Sequence, residues 1–311
     1  MASRIKPTII GSGIYNYDII VQRDYPDGFI IDKRNKFTEK ILLEEIGGTC
    51  GNVMCILAHL GWTVMPQAQF DQSAYGYKLK ADLEHYGCDT CYIENIPNGG
   101  TTILHCNHQL DKTTGLHTVK FRATGPSSLF AKRKQLRVKD EVIPFLENIE
   151  IAPDVYFFDS PDAGPRMIAT HLRQRGTLIY FEPETDKDTA RFKKGIEIAD
   201  IIKFSADKVL NVSFCDANDK LFIQTLGSDG LRFKLCSSEW MHIQAKSVDN
   251  VIDWEGCGDT TTAVFLDSLA EQGMLSINTM TIEGVRIALH KASEKASECT
   301  QYIGSKGWIN K

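Results

Sequence analysis

The sequence predicts an α/β fold whose central sheet is mostly parallel and covered by helices on both faces. Three observations carry this. Short runs that are apolar on both faces recur along the chain, as strands buried on two sides require. Between them fall runs with apolar residues three and four positions apart, the spacing of one helix face. The two kinds of run alternate, the order that builds parallel sheets with crossover helices.

In chain order, the first strand covers Thr8 to Ile10 and stops at Gly11. Residues 14–45 lack helical spacing and carry turn residues, so they are expected to form a β excursion from the sheet edge. Val53, Ile56, Leu57 and Leu60 mark a helix with Gly61 as its C-terminal cap. A strand over Thr63 to Ala68 follows, then a helix striped by Leu79, Leu83 and Tyr86 and closed by Gly87. Residues 90–122 form a second expected β excursion. Val155 to Phe158, Leu178 to Phe181, Ile201 to Phe204 and Leu221 to Leu226 read as strands, and Ile168 and Leu172 stripe a helix closed by Gly176. The clearest helix runs through Ile282, Val285, Leu289, Ala292, Ala296, Cys299 and Ile303. No repeat or long linker divides the 311 residues, so one domain spanning 1–311 is expected, with the two β excursions as part of it.

With 42% hydrophobic and 24% charged residues, composition excludes disordered and collagen-like classes. The formal net charge of -5 gives no long-range attraction to nucleic-acid phosphates. The one basic cluster, Lys132, Arg133, Lys134, Arg137 and Lys139, reads as a solvated face. No apolar run approaches the roughly 18 residues of a membrane span, and the N-terminal run is too short for a signal peptide. Nine scattered cysteines fit free thiols in a reducing compartment. The expectation is a cytoplasmic protein with small-molecule partners, without nucleic acid or membrane.

The segment from Val251 to Ala263 holds the strongest chemical signal. A strand-like run leads into Gly256-Cys257-Gly258-Asp259, then into a helix whose buried face carries Ala263, Leu266 and Ala270. A glycine turn at a helix N-terminus offers free backbone N–H groups and the positive end of the helix dipole, which together attract an anion. A carboxylate in the same turn can take the proton of an attacking hydroxyl while the amides hold the transferring phosphoryl oxygens. Read alone, these residues fit a tight turn with Asp259 as a helix cap equally well.

The segment resembles the C-terminal signature of the phosphofructokinase-B or ribokinase-like carbohydrate kinases, D-[ST]-[ST]-G-A-G-D. Asp253, Gly256, Gly258 and Asp259 match; Trp254, Glu255 and Cys257 depart. The resemblance implies a ribokinase-like fold, Asp259 as catalytic base and the amides of Gly256, Cys257 and Gly258 as anion hole. The segment Gly47-Gly48-Thr49-Cys50-Gly51-Asn52 before the first helix is similar to the family's N-terminal signature. It implies a close approach of Gly47 and Gly48 to a sugar, with Asn52 offering a donor and an acceptor to hydroxyls; a glycine-rich helix entry with an Asn cap is the plain alternative. Asp18, after Gly11-Ser12-Gly13, resembles the family's sugar-binding aspartate, although a turn Asp also fits. Thr225, Gly227 and Gly230 match the T-L-G-x-x-G turn on the nucleotide side. Phe121-Arg122 with Ser127-Ser128-Leu129 is similar to a segment of fructokinase-like and ketodeoxygluconate-kinase-like members. Arg122 would then face substrate, unless it is an ordinary surface arginine.

The resemblance covers Ile9 to about Gly307. It implies ATP and Mg2+ as cofactors, a monovalent cation such as K+ near Asp253, a β lid that excludes water, and a homodimer through that lid. The chain departs from the family in metal handling. The usual N-x-x-E reads Ser205-Ala206-Asp207-Lys208, so a cation replaces an acid, and the metal-binding residues are left unassigned. D-P-N-x-R appears as Glu182-Pro183-Glu184-Thr185-Asp186, and G-D-D-x-x-G as Asp71-Gln72-Ser73-Ala74-Tyr75-Gly76.

A competing pattern is Cys88-x-x-Cys91 with His105-x-x-His108, which resembles a zinc site. The two histidines would face opposite sides of a strand, which disfavours a shared metal. Three functions stay open at this level: a sugar kinase using Asp259, a nucleoside kinase whose base packs on Tyr15, Tyr17 and Phe121, and a catalytically weak sugar-binding regulator.

Overall fold

The computed structural model describes residues 6–24, 38–110, 117–124, 139–187, 189–210 and 212–309. Ser127 to Leu129 and the basic residues 132–137 lie outside the described residues. A nine-stranded sheet runs in the order β13-β12-β11-β10-β9-β8-β1-β4-β5. Its strands are β1 (Thr8–Ser12), β4 (Thr63–Phe70), β5 (Ile93–Asn95), β8 (Val155–Phe158), β9 (Leu178–Phe181), β10 (Ile201–Ser205), β11 (Leu221–Thr225), β12 (Leu231–Leu235) and β13 (Met241–Ile243). Every neighbouring pair from β5 to β11 is parallel; β12 and β13 are antiparallel.

Strand alternation explains why both faces need cover. Ile9, Val155, Phe157, Tyr180 and Ile223 point into one core, with α1 (Thr49–His59), α2 (Ala74–His85), α6 (Cys257–Glu271) and α7 (Ile282–Cys299) packed there. Ile10, Tyr156, Phe158, Ile179 and Phe222 point into the other, beneath α3 (Lys139–Asn148), α4 (Ala163–Arg173) and α5 (Thr189–Ile198). The doubly apolar runs are therefore strands between two cores.

A second sheet, in the order β3-β2-β6-β7, is built from β2 (Asn16–Asp24), β3 (Thr38–Gly47), β6 (Thr102–Leu110) and β7 (His117–Thr124). These are the expected excursions, with one correction. The second begins at Thr102 rather than 90, because Ile93 is buried in the main core and β5 pairs with Ala68 to Phe70 of β4. Two other limits move. The last helix ends at Cys299 instead of reaching Ile303, as the Thr300 carbonyl accepts the amides of Ile252 and Asp253 and the chain turns back. Leu226 leaves β11 because its amide turns to the Gly230 carbonyl. Among the described residues, no helix is long and apolar enough to cross a membrane.

The chain leaves β1 toward β4 on one side and reaches β8 on the other, so the strand order reverses at β1. In open α/β sheets the crevice at the carboxyl ends of such strands is where ligands bind. Asp159, one residue past β8, accepts the amides of Ile14 and Cys50 at 3.0–3.1 Å there. It ties the β1–β2 turn and the start of α1 to one end of the sheet.

Candidate active site

Asp259 lies in the first turn of α6, after Gly256 at φ 78°. A Cβ on Gly256 would come within 2.0 Å of Ser305 Cβ, so both the backbone angle and the packing demand glycine. The first-turn amides of a helix have no intrahelical acceptor, and here they converge with a buried carboxylate. One expected member is partly spent: the Cys257 amide makes a long 3.4 Å bond to the Trp254 carbonyl. The Cys257 thiol lies 3.2 Å from that of Cys299, so it faces away toward α7.

Asn52 donates from Nδ2 to Asp259 Oδ2 at 2.6 Å. It is not the helix cap, which is Gly48 at φ 81° without a side-chain bond. Its Oδ1 already accepts from Lys306 at 2.8 Å, so Asn52 orients the carboxylate and keeps one N–H free of Asp259. Burial and the charge of Glu182 push Asp259 up to about 6 against the pull of Asn52, Lys203 and Lys208. The group remains mostly ionised at neutral pH and has gained basicity.

Asp18, on β2, faces this carboxylate closely enough for their charges to oppose. Burial raises it to about 7, with Lys306 countering. Its Oδ1 has no hydrogen-bond partner among the described residues, and the same holds for Asn16 Oδ1 and Thr102 Oγ1. Asn16 pairs with Thr102 and Asp18 with Leu104, so all three lie on one face of the second sheet. Buried polar atoms without partners are rare and point to a ligand. Gly47 is required beside them, since a Cβ would fall 1.7 Å from Asp18 Oδ2. Gly48 is held by the Ile14 carbonyl at 2.5 Å from its own would-be Cβ.

Arg122 is not brought to this group. It pairs with His105, one position out of phase with Leu104, and so stands on the opposite face from Asp18. Phe121 pairs with Cys106 on the Asp18 face and is 51% exposed. Tyr15 and Tyr17 are fully buried in the core and offer no surface to a nucleobase.

Thr225 ends β11 opposite Ser205 of β10, at the same carboxyl edge of the sheet. Gly227 (φ 62°) and Gly230 (φ 92°) then form a tight turn. A Cβ on Gly227 would meet nothing within 4 Å, which leaves its backbone open to a ligand; one on Gly230 would strike the Ile243 carbonyl at 2.1 Å.

Several residues at the site escaped the sequence reading. Lys203 is buried, pairs with Glu182, and its Nζ lies 3.6 Å from where a Gly258 Cβ would stand. Glu182 also accepts from Thr262 at 2.6 Å. The one available signal was a lone cation inside the apolar strand Ile201-Ile202-Lys203-Phe204. Lys306, fully buried beside Glu45, gave no such signal because it falls in a Gly-rich turn.

Glu182 beside the anion turn is already ion-paired with Lys203, Asp259 is bonded to Asn52, and among the described residues no group of three His, Cys, Asp or Glu side chains could hold a metal ion. This does not fit a magnesium ion held by protein carboxylates; an ion carried on nucleotide phosphates and water needs fewer protein ligands. Asp253, near which the monovalent cation was expected, accepts the amides of Glu255 (3.0 Å) and Gly304 (2.9 Å), one on each oxygen. The zinc pattern is pulled apart: His108 turns to Asp253 at 3.8 Å, on the other face of β6 from His105.

No family model and no curated protein matches the sequence. Solved structures do match. A fructokinase with bound ATP from Xylella fastidiosa shares 16% identity over 96% of this chain and 93% of its own, with a TM-score of 0.71. A ribokinase from Giardia lamblia shares 16% over 96% of each chain, with a TM-score of 0.67. A Burkholderia thailandensis nucleoside kinase in complex with inosine shares 18% over 96% and 93%, with a TM-score of 0.65. The chain therefore has the ribokinase-like fold.

Proposed function

We propose that the protein is an ATP-dependent kinase that transfers the γ-phosphoryl group to a hydroxyl of a sugar. One observation carries this reading: Asp259, at the amide-lined start of α6, is held by Asn52 and faces Asp18 across a set of unpartnered buried oxygens. Those oxygens on the second sheet suit a polyhydroxylated acceptor. Asp259 suits the proton that leaves the attacking hydroxyl. The amides of α6 with Lys203 suit the negative charge on the moving phosphoryl group. The glycine turn after β11 suits the nucleotide, as it shares the edge of the sheet with α6. Neighbours that carry ATP support that side of the reading.

Phe121 favours a second acceptor class. An exposed ring on the Asp18 face can stack with a base attached to the sugar, and two neighbours hold inosine or aminoimidazole riboside. ADP release measured with panels of free sugars, sugar acids and nucleosides tests both. Turnover with sugars supports the first reading and turnover confined to nucleosides the second. Ligand binding with no acceptor-dependent ADP in any panel sinks the kinase.

A further inference from the structure

We propose that Lys306 is a positioning residue of the acceptor site, whose ammonium fixes which end of the Asn52 amide faces Asp259. An ammonium has three donors and no acceptor. Lys306 shares them among four acceptors, the Ile46 carbonyl at 2.7 Å, Asn52 Oδ1 at 2.8 Å, Ser305 Oγ at 3.0 Å and Glu45 Oε1 at 3.0 Å. The amide oxygen of Asn52 must face it, so the amide nitrogen is turned to Asp259 at 2.6 Å. Without the ammonium the two ends of the amide are nearly the same shape, and the flipped one would aim an oxygen at a carboxylate.

The same ammonium is a counter-charge. It lies 3.0 Å from Glu45 Oε1. The groups that act on Asp18 are Glu45 from β3, Asp259 from α6, Glu255 from the turn before it, and Lys306 itself. Cys106 on β6 also senses Asp18. Lys306 is the cation of this set, and its effect on Asp18 exceeds that of Glu45. A lysine fully removed from water is costly unless every donor is met; here every donor is met by the site, from 254 residues away in the case of Asn52.

The proposal rests on the kinase reading, so the test has one arm that needs no turnover. Lys306→Met is expected to lower kcat about 100-fold, the scale of a misplaced reacting group, while the KM for ATP stays within twofold. The acidic limb of kcat/KM for the acceptor should move to higher pH, because Asp18 loses its cation. Burying Glu45 alone could unfold that variant, so Glu45→Gln/Lys306→Met is made beside it and both are checked by thermal melting. In the second arm the Asp18 carboxyl is titrated by carbon NMR without substrate, and its midpoint should rise in either folded variant. An unmoved midpoint overturns the counter-charge, and an unmoved kcat overturns the positioning, even in an active enzyme. A wild-type protein that makes no ADP with any acceptor removes the kinase reading and leaves the titration to decide.

Discussion

At the scale of single residues, the role of base proposed for Asp259 sets two opposed demands. The residue must stay ionised to accept a proton, and it must be dry enough for that proton to matter. Burial and Glu182 raise it to about 6, while Asn52, Lys203 and Lys208 hold it from rising further. Its base form therefore fills as pH climbs through 6, and kcat should rise over that interval and level off above it. A pH–rate profile checks this. Asp259→Asn removes the base and keeps the shape; kcat is expected to fall by about 10²–10⁴-fold, the usual worth of general-base catalysis, with nucleotide affinity retained by calorimetry. Asp18→Asn should act differently. It keeps one acceptor oxygen but loses the charge, so the KM for the acceptor should rise far more than kcat falls, as steady-state kinetics would show.

At the scale of elements, the start of α6 is a tightly constrained turn. Gly256→Ala would put a Cβ at φ 78° and drive it into Ser305. The left-handed angle alone costs about 1–2 kcal/mol; the collision adds to that and shifts the amides. Loss of turnover larger than the loss of melting temperature is the expected result, and equal wild-type kinetics would rule the turn out as the phosphoryl site. This turn was legible through its resemblance to the family signature, since Gly-x-Gly-Asp before a helix fits a plain capped turn equally well. The second sheet was only half legible. Its strands followed from the absence of helical spacing, but which side chains face Asp18 depends on register. One residue of phase puts Phe121 on the Asp18 face and Arg122 on the opposite one. Nothing in a single strand's composition fixes that phase; the pairing of Asp18 with Leu104 does. Lys306 was illegible for the same reason, since its role exists only after a late turn folds back onto α1 and β3.

At the scale of the whole molecule, burial on two faces leaves few polar positions in a strand, which made the six strands β1, β4 and β8 to β11 readable, while the short or alternating edge strands β5, β12 and β13 were not read. The acid cluster at the site was less readable, and it has a thermodynamic consequence. Asp18 goes from an ordinary 3.8 to about 7, Glu255 from 4.5 to about 7, and Asp259 from 3.8 to about 6. Each binds its proton more tightly folded than unfolded. Their contribution to stability is fully present below about pH 4, falls as pH rises through this window, and stays lost above pH 7. Ligand-free protein should lose melting temperature between pH 4 and 7 on their account. Asp18→Asn should flatten that slope, and a slope identical to wild type would show that Asp18 ionises as freely in the native state as in the unfolded one.

The bond from Lys306 to the Asn52 amide has a consequence for biosynthesis. The chain emerges from the ribosome in order, so strands, helices and the glycine turn can all be outside the exit tunnel while position 306 is still inside it. During that interval a nascent chain would hold Asn52 with an amide free to turn either way, and the orientation seen in the folded protein would wait for position 306 to leave the tunnel.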